Sequence, residues 1–252
     1  MIAETARHLI TRTSCKAWNR VAAVGVTLAM TLALAAGTAG NASAAGPLEV
    51  ERTGNEGDIA LIAAADKGDL EGIAKAMRSG ASIAGRDKRG RNAILAAASG
   101  NHVPAALFLM AAGSDVNAKD DQENSAFLLA AAEGYLDIVK LSLRSGADVK
   151  STNRYGGTAL IPAAHHGHVT VVKELLATPI PVDHVNKLGW TALLEAIVLG
   201  DGGPRHTEIV KLLVGAKADV NLADKDGVTP LQHAKKKGYK DIAAILEAAG
   251  AK

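Results

Sequence analysis

The chain has 252 residues, of which 48% are hydrophobic but only 3% aromatic, enough for one large domain or two small ones. The shortage of aromatic side chains favours closely packed helices built from Ala, Leu, Ile and Val over a β-sandwich core. A formal net charge of +2 gives no general attraction to nucleic acid or anionic lipid, and 7 prolines are too few for a Pro-rich disordered chain.

Residues 1–44 have the order of regions found in a secretory signal peptide. Basic residues precede an uncharged apolar run over 21–36, and Ala42-Ser43-Ala44 then suits signal peptidase. A helix that spans a membrane needs about 20 apolar residues, and this run is shorter, so a cleaved signal peptide is favoured over an uncleaved membrane anchor. Residues 45–53 are predicted to be a linker. We therefore expect an exported bacterial protein, periplasmic or secreted, with no membrane attachment after cleavage.

The one cysteine of the chain, Cys15, lies in this leader. Cleavage after residue 44 would leave 24 basic and 25 acidic side chains and no thiol. The mature chain would then offer no disulfide, no thiol nucleophile and no thiolate ligand for a metal.

A unit of 33 residues recurs through the rest of the chain. Within each unit a polar residue can cap a helix, a pair of alanines follows, and a glycine such as Gly134 accepts the left-handed turn into a second apolar helix. A five-residue insert within 200–205 lengthens one unit. The pattern predicts six helix-turn-helix repeats. Their cores start at Ile59, Asn92, Ser125, Thr158, Thr191 and Thr229.

These units resemble the ankyrin repeat, most clearly over 153–168, 218–221 and 224–231. The resemblance implies an all-α ankyrin-repeat solenoid with protruding β-hairpin-like loops over residues 54–252. It also implies a protein partner, and we expect a monomer without a cofactor. Pro179 and Lys217 stand where the family usually has glycine, and a lysine in a left-handed conformation costs on the order of 1 kcal/mol. We therefore expect a local rearrangement of the backbone at both positions.

The ankyrin resemblance places ligands in a concave groove formed by the loop tips and the exposed sides of the first helices. In the fourth and fifth repeats these positions hold the aromatic and basic residue types of binding hot spots. A purely structural role for Trp190, lying over the next loop, is the alternative. The Gly-rich insert is expected to protrude near the same repeats. The predicted groove residues are Arg154, Tyr155, His165, His166, Lys187, Leu188, Trp190, Val198 and Leu199.

Signatures of catalysis are absent from the sequence: it has no nucleophile elbow, phosphate-binding loop or zinc-binding helix motif. His165 and His166 are adjacent on a helix and point in different directions, so no metal site is predicted. Glu195 falls at a variable position facing the groove and is interpreted as a solvated or hydrogen-bonded carboxylate. We expect no enzyme.

Three functions remain open at this point. The first is a protein–protein interaction module, an adaptor, scaffold or inhibitor-like binder in the bacterial cell envelope. The second is a metal-assisted or hydrolytic enzyme with a site around His165, His166 and Glu195. The third is a structural protector of a periplasmic enzyme.

Overall fold

The computed structural model describes residues 55–252, and this part of the chain contains twelve α-helices and no β-strand. The predicted signal peptide, 1–44, and linker, 45–53, lie outside the described residues. In chain order, α1 to α12 span Glu56–Asp66, Leu70–Arg78, Ala93–Ser99, Val103–Ala111, Ala126–Glu133, Leu136–Arg144, Leu160–His165, Val169–Leu176, Ala192–Val198, Pro204–Gly215, Pro230–Lys237 and Lys240–Ala248.

The helices pack as six consecutive pairs. Within each pair the first helix contacts the second, and every first helix also contacts the first helix of the next pair. The second helices contact one another in the same order. Two helical layers therefore run side by side through the stack, and the predicted all-α ankyrin-type solenoid of six repeats is confirmed.

Alanine dominates the layer of first helices. In α3, α5, α7 and α9 most alanine side chains, such as Ala97, Ala130 and Ala163, are fully buried, and their small size lets neighbouring helices approach closely. Larger aliphatic side chains, such as Leu160, Ile138 and Leu175, fill the space between the two layers. This composition explains how a chain with few aromatic residues builds a continuous core.

Most of the first helices start at a residue whose side chain caps the helix, as predicted. The fourth repeat is an exception: the buried hydroxyl of Thr158 has no hydrogen-bond partner, and α7 begins at Leu160 without a side-chain cap. In the first repeat Asn55 caps α1, so that Ile59 lies inside this longer helix. The residues that cap as predicted, each accepting from the backbone N–H three positions later, are Asn92, Ser125, Thr191 and Thr229.

The turns between helices use left-handed residues. Gly134, after α5, and Gly146, after α6, have φ of 79° and 83°. The rearrangement predicted at Lys217 is wrong, because this lysine itself adopts φ of 68°. Pro179 cannot take that conformation, and the end of α8 is instead closed by the Thr178 hydroxyl, which donates to the backbone oxygen of Leu175 at 2.6 Å.

Five loops between repeats share one turn. An Asp or Asn side chain accepts hydrogen bonds from the backbone N–H groups two and four residues later, which is an Asx turn. The backbone N–H of this residue also donates to the carbonyl four residues later, so each tip is hairpin-like without forming strands. The turn residues are Asp87, Asp120, Asn153, Asn186 and Asp224.

The five-residue insert is folded against the stack and does not protrude freely as predicted. Gly202, with φ of 69°, packs so closely on Tyr239 of the last repeat that a β-carbon would collide with the ring. The Asp201 carboxylate accepts from the backbone N–H of Gly203 at 2.8 Å and lies 2.7 Å from Nδ1 of His206. The insert is therefore a tight turn leading into α10.

None of the helices in residues 55–252 is both long enough and apolar enough to cross a membrane.

Candidate functional site

The loop tips of the fourth and fifth repeats are joined to each other. The Arg154 guanidinium donates to the Tyr155 hydroxyl at 2.6 Å and lies 4.7 Å from the centroid of its ring, a cation–π distance. The backbone N–H of Lys187 donates to the Tyr155 carbonyl at 2.9 Å, and its Nζ donates to the Arg154 carbonyl at 2.8 Å. The structure thus brings Arg154, Tyr155 and Lys187 together.

Apolar side chains are exposed beside these cations. Tyr155 is 49% exposed and Leu188 is 51% exposed, whereas Trp190 is half-buried. Val185, 46% exposed, was missed by the sequence reasoning. Its exposure could have been predicted from its place in the loop, directly before Asn186, because no helix covers an apolar residue there.

Val198 and Leu199 lie at the other end of the site, where α9 ends. Val198 is half-buried and Leu199 is 43% exposed. The Leu199 backbone N–H donates to the Glu195 carbonyl. Within residues 55–252, the hydrogen bonds outside the helices include none from Val198 or Leu199 to the loop tips.

A buried polar pair holds the tip of the fifth repeat on its helix. Glu195 is only 6% exposed, so its predicted position on an open face is wrong, although the hydrogen-bonded alternative is correct. Its Oε1 accepts from Nδ2 of Asn186 at 2.8 Å, while Oδ1 of Asn186 accepts from the backbone N–H groups of Leu188 and Trp190. Burial raises the pKa of the Glu195 carboxyl to about 6, although the bond from Asn186 acts to lower it.

The two adjacent histidines do not diverge as predicted. The rings of His165 and His166 stack with centroids 4.4 Å apart, and Nδ1 of His165 lies 3.7 Å from Oε2 of Glu195. Burial, together with the nearby His166 and His206, lowers the pKa of His165 below its ordinary value of 6.5. The lowered pKa favours the uncharged form of His165, which weakens its electrostatic attraction to Glu195.

The remaining histidines of this region bridge repeats. Nε2 of His168 lies 3.0 Å from the backbone oxygen of Ala132, and Nε2 of His206 lies 2.9 Å from that of His165. Within residues 55–252 no group of three or more His, Cys, Asp or Glu side chains is placed to hold a metal ion. What the site offers chemically is recognition: exposed apolar side chains, cations at the loop tips and hydrogen-bonding histidines.

Two family models of ankyrin repeats match the chain. The model of three copies matches residues 127–221, and the model of many copies matches residues 94–141. A crystal structure of an ankyrin repeat domain from Acinetobacter baumannii AYE is 52% identical, with a TM-score of 0.74. The alignment covers 76% of this chain and 98% of that domain. The chain belongs to the ankyrin-repeat family.

Two further comparisons agree with this membership. The crystal structure of the ankyrin repeat protein EF0377 is 34% identical, with a TM-score of 0.72, and is aligned over 75% of this chain and 97% of its own. The Escherichia coli protein YahD, also named for its ankyrin repeats, is 51% identical over 57 residues. These make up 23% of this chain and 28% of YahD, so the match spans less than a third of that relative's length. Ankyrin repeats are generally protein–protein interaction modules on a non-catalytic scaffold.

Proposed function

We propose that this ankyrin-repeat protein is an adaptor or inhibitor-like binder that holds a protein partner in the groove of its fourth and fifth repeats. The observation that carries the proposal is the pair of loop tips in which Tyr155 and Leu188, each about half exposed, adjoin Arg154 and Lys187. A partner that covers these side chains removes apolar surface from water and meets fixed cations at the same place.

The rigidity of the site supports the same proposal. Asn186 fixes the backbone at Leu188 and Trp190, and Lys187 fixes the distance between the two tips. Because the surface is ordered before a partner arrives, association costs less conformational entropy than it would for a mobile loop.

We propose that the protein works in the bacterial cell envelope, as a monomer in the periplasm. Support comes from the order of the regions in residues 1–44, with a basic segment, an apolar run and Ala42-Ser43-Ala44. Protection of a periplasmic enzyme is one form that such binding could take, and the identity of the partner distinguishes it from an adaptor role.

The test is affinity capture from an envelope extract of the source cell, with the purified protein as bait. A Tyr155→Ala/Trp190→Ala variant is run beside the wild type, and a Leu107→Ala variant, changed on α4 of the second repeat, serves as control. We expect a partner that the wild type and the control retain and the double variant loses, while all three give the same helical circular dichroism. Equal retention by the double variant would show that the partner binds elsewhere.

A further inference from the structure

A row of cations runs along the tips of the last three loops. Arg154, Lys187 and Lys225 each follow directly after the Asx-turn residue of their loop. Nζ of Lys225 donates to the Lys187 carbonyl at 2.6 Å, and Nζ of Lys187 donates to the Arg154 carbonyl at 2.8 Å. The ammonium groups of Lys187 and Lys225 are thereby each held at the tip of the preceding loop, and the Arg154 guanidinium is held by the Tyr155 hydroxyl of its own tip.

These positive charges are not neutralised within the described part of the chain. Their partners are carbonyl oxygens and a tyrosine hydroxyl, and none of the three takes part in a salt bridge among residues 55–252. Three other lysines of the described residues do have carboxylate partners, such as Lys235, which lies 2.7 Å from Glu247. A partner that brings carboxylates to the row would therefore meet charges that are already fixed in place and still unpaired.

Apolar side chains alternate with the cations. Tyr155 follows Arg154 and Leu188 follows Lys187, and both are about half exposed. Because packed helices are separated by about 8–10 Å, equivalent tips recur at the spacing of two to three residues of an extended chain.

We propose that this tip row, consisting of Arg154, Tyr155, Lys187, Leu188 and Lys225, binds an extended acidic segment of the partner protein, with apolar side chains among its carboxylates. This rests on the proposed function and adds the chemistry of the partner.

The flanking residues favour an acidic protein segment over a nucleic acid. Asp226 lies beside Lys225 at one end of the row, and Asp121 and Glu123 occupy the loop tip of the third repeat, beyond the other end. A uniformly charged phosphate backbone would meet these carboxylates, whereas a short segment with few carboxylates fits between them.

The experiment selects ligands from a phage-displayed library of random peptides about 12 residues long, with the purified full protein as target. Selected peptides are synthesised, and their affinity is measured by fluorescence anisotropy for the wild type and a Lys187→Glu/Lys225→Glu variant. The control is Lys173→Glu/Lys240→Glu, which makes the same change of net charge on the exposed second-layer helices α8 and α12.

We expect acidic peptides with apolar residues to be enriched. Compared with the wild type, the tip variant should bind them with a dissociation constant about tenfold higher, and the control should stay within about twofold. For the wild type, the dissociation constant should increase when NaCl is raised from about 50 to about 500 mM, because salt screens the attraction between the charges. A Lys187→Gln/Lys225→Gln variant removes the charges without reversing them, and it provides the same comparison if the reversed variant loses its helical circular dichroism.

Several outcomes would overturn the inference. Enrichment of non-acidic peptides, no enrichment at all, or equal weakening by the tip variant and the control would each do so. A thymidine oligonucleotide of about 20 nucleotides that displaces the labelled peptide as well as unlabelled peptide does would indicate a surface that binds polyanions in general. If the affinity of the peptides falls in the Tyr155→Ala/Trp190→Ala variant but not in the Lys187→Glu/Lys225→Glu variant, the proposed function stands and only the acidic character of the partner is contradicted.

Discussion

Asn186 and Glu195 occupy the same positions in the fifth repeat as Asp224 and His233 in the last one. In the last repeat the carboxylate belongs to the loop, and its oxygen lies 2.7 Å from Nε2 of His233. The pKa of Asp224 is lowered, first by the hydrogen bond from the backbone of Val228 and further by His233. In the fifth repeat the polarity is reversed: the amide is in the loop, and the carboxylate is buried on the helix.

This reversal predicts a pH dependence of stability. The pKa of Glu195 is raised from 4.5 to about 6 in the folded protein, so the folded state binds the proton more tightly than the unfolded state. The stabilisation from this group is therefore complete below pH 4.5 and is lost as pH rises through about 6. We expect the free energy of unfolding of the wild type, relative to Glu195→Gln, to fall by about 2 kcal/mol between pH 4 and 7.5.

Urea unfolding of both proteins across this pH range measures the difference. The glutamine side chain of the variant keeps the oxygen that accepts from Asn186 but does not titrate. Parallel pH profiles for the two proteins would contradict the prediction and would mean that water reaches the Glu195 carboxyl.

At the scale of a helix, the fourth and fifth repeats begin their first helices differently. Thr191 caps α9 by accepting from the backbone N–H of Leu194 at 3.2 Å. The buried hydroxyl of Thr158, one repeat earlier, has no hydrogen-bond partner in the described structure. The same residue type at the same repeat position is thus stabilising in one helix and carries an unsatisfied polar group in the other.

We expect Thr191→Val to lower the free energy of unfolding by about 1 kcal/mol, because it removes the cap while keeping the size of the side chain. Thr158→Val is its matched control and should be neutral or slightly stabilising, since it removes a buried hydroxyl without a partner. Urea denaturation followed by circular dichroism compares the two variants. A loss at Thr158 as large as that at Thr191 would mean that the Thr158 hydroxyl is in fact hydrogen-bonded.

The 33-residue period was sufficient to predict most of the elements. It located the left-handed turns, the helix pairs and the capping residues, because these depend on local backbone geometry and on small apolar side chains at fixed positions. It could not predict that Lys217 adopts φ of 68° with no rearrangement, or that the first helix begins before Ile59. The first helix starts early because Asn55, which lies before the repeat pattern, caps it by accepting from the backbone N–H of Asp58. At Lys217 the backbone N–H groups of Lys217 and Ala218 donate to the carbonyls of Val214 and Leu213, and these bonds close the helix end in spite of the cost of the left-handed conformation.

The candidate site was less predictable than the fold. Loop-tip positions followed from the repeat, and the structure joins Arg154, Tyr155 and Lys187 there. The burial of Glu195 was not predictable, because it depends on Asn186 reaching across from the loop to α9. A sequence shows which positions are equivalent between repeats, but not which side chains meet across them.

At the scale of the whole stack, each repeat contacts only its neighbours. Leu160 in the fourth repeat and Leu246 in the last are both completely buried, yet the first lies between neighbours on two sides and the second at the end. In such an array, stability is approximately the sum of repeat and interface contributions, so position decides how far a defect spreads.

Alanine substitutions at these two leucines should show how far a defect spreads along the stack. We expect both Leu160→Ala and Leu246→Ala to cost about 2–5 kcal/mol locally. Native-state hydrogen exchange should show faster exchange in α5 to α10 for Leu160→Ala, which has a neighbouring repeat on each side, but only in α9 to α12 for Leu246→Ala, which has one. Uniform acceleration across the described helices in both variants would contradict nearest-neighbour coupling and indicate one cooperative unit.

The insert before α10 shows how the stack accommodates a change in length. His206 stands five residues later than the unit predicts, yet its Nε2 reaches the backbone oxygen of His165 at 2.9 Å, as His168 reaches Ala132 at 3.0 Å. The extra residues are taken up before this contact, so the register of the following helix is kept. A sequence comparison that assumes a strict 33-residue period would accordingly misplace every position after this turn by five residues, although the helices on both sides of it stack as in the other repeats.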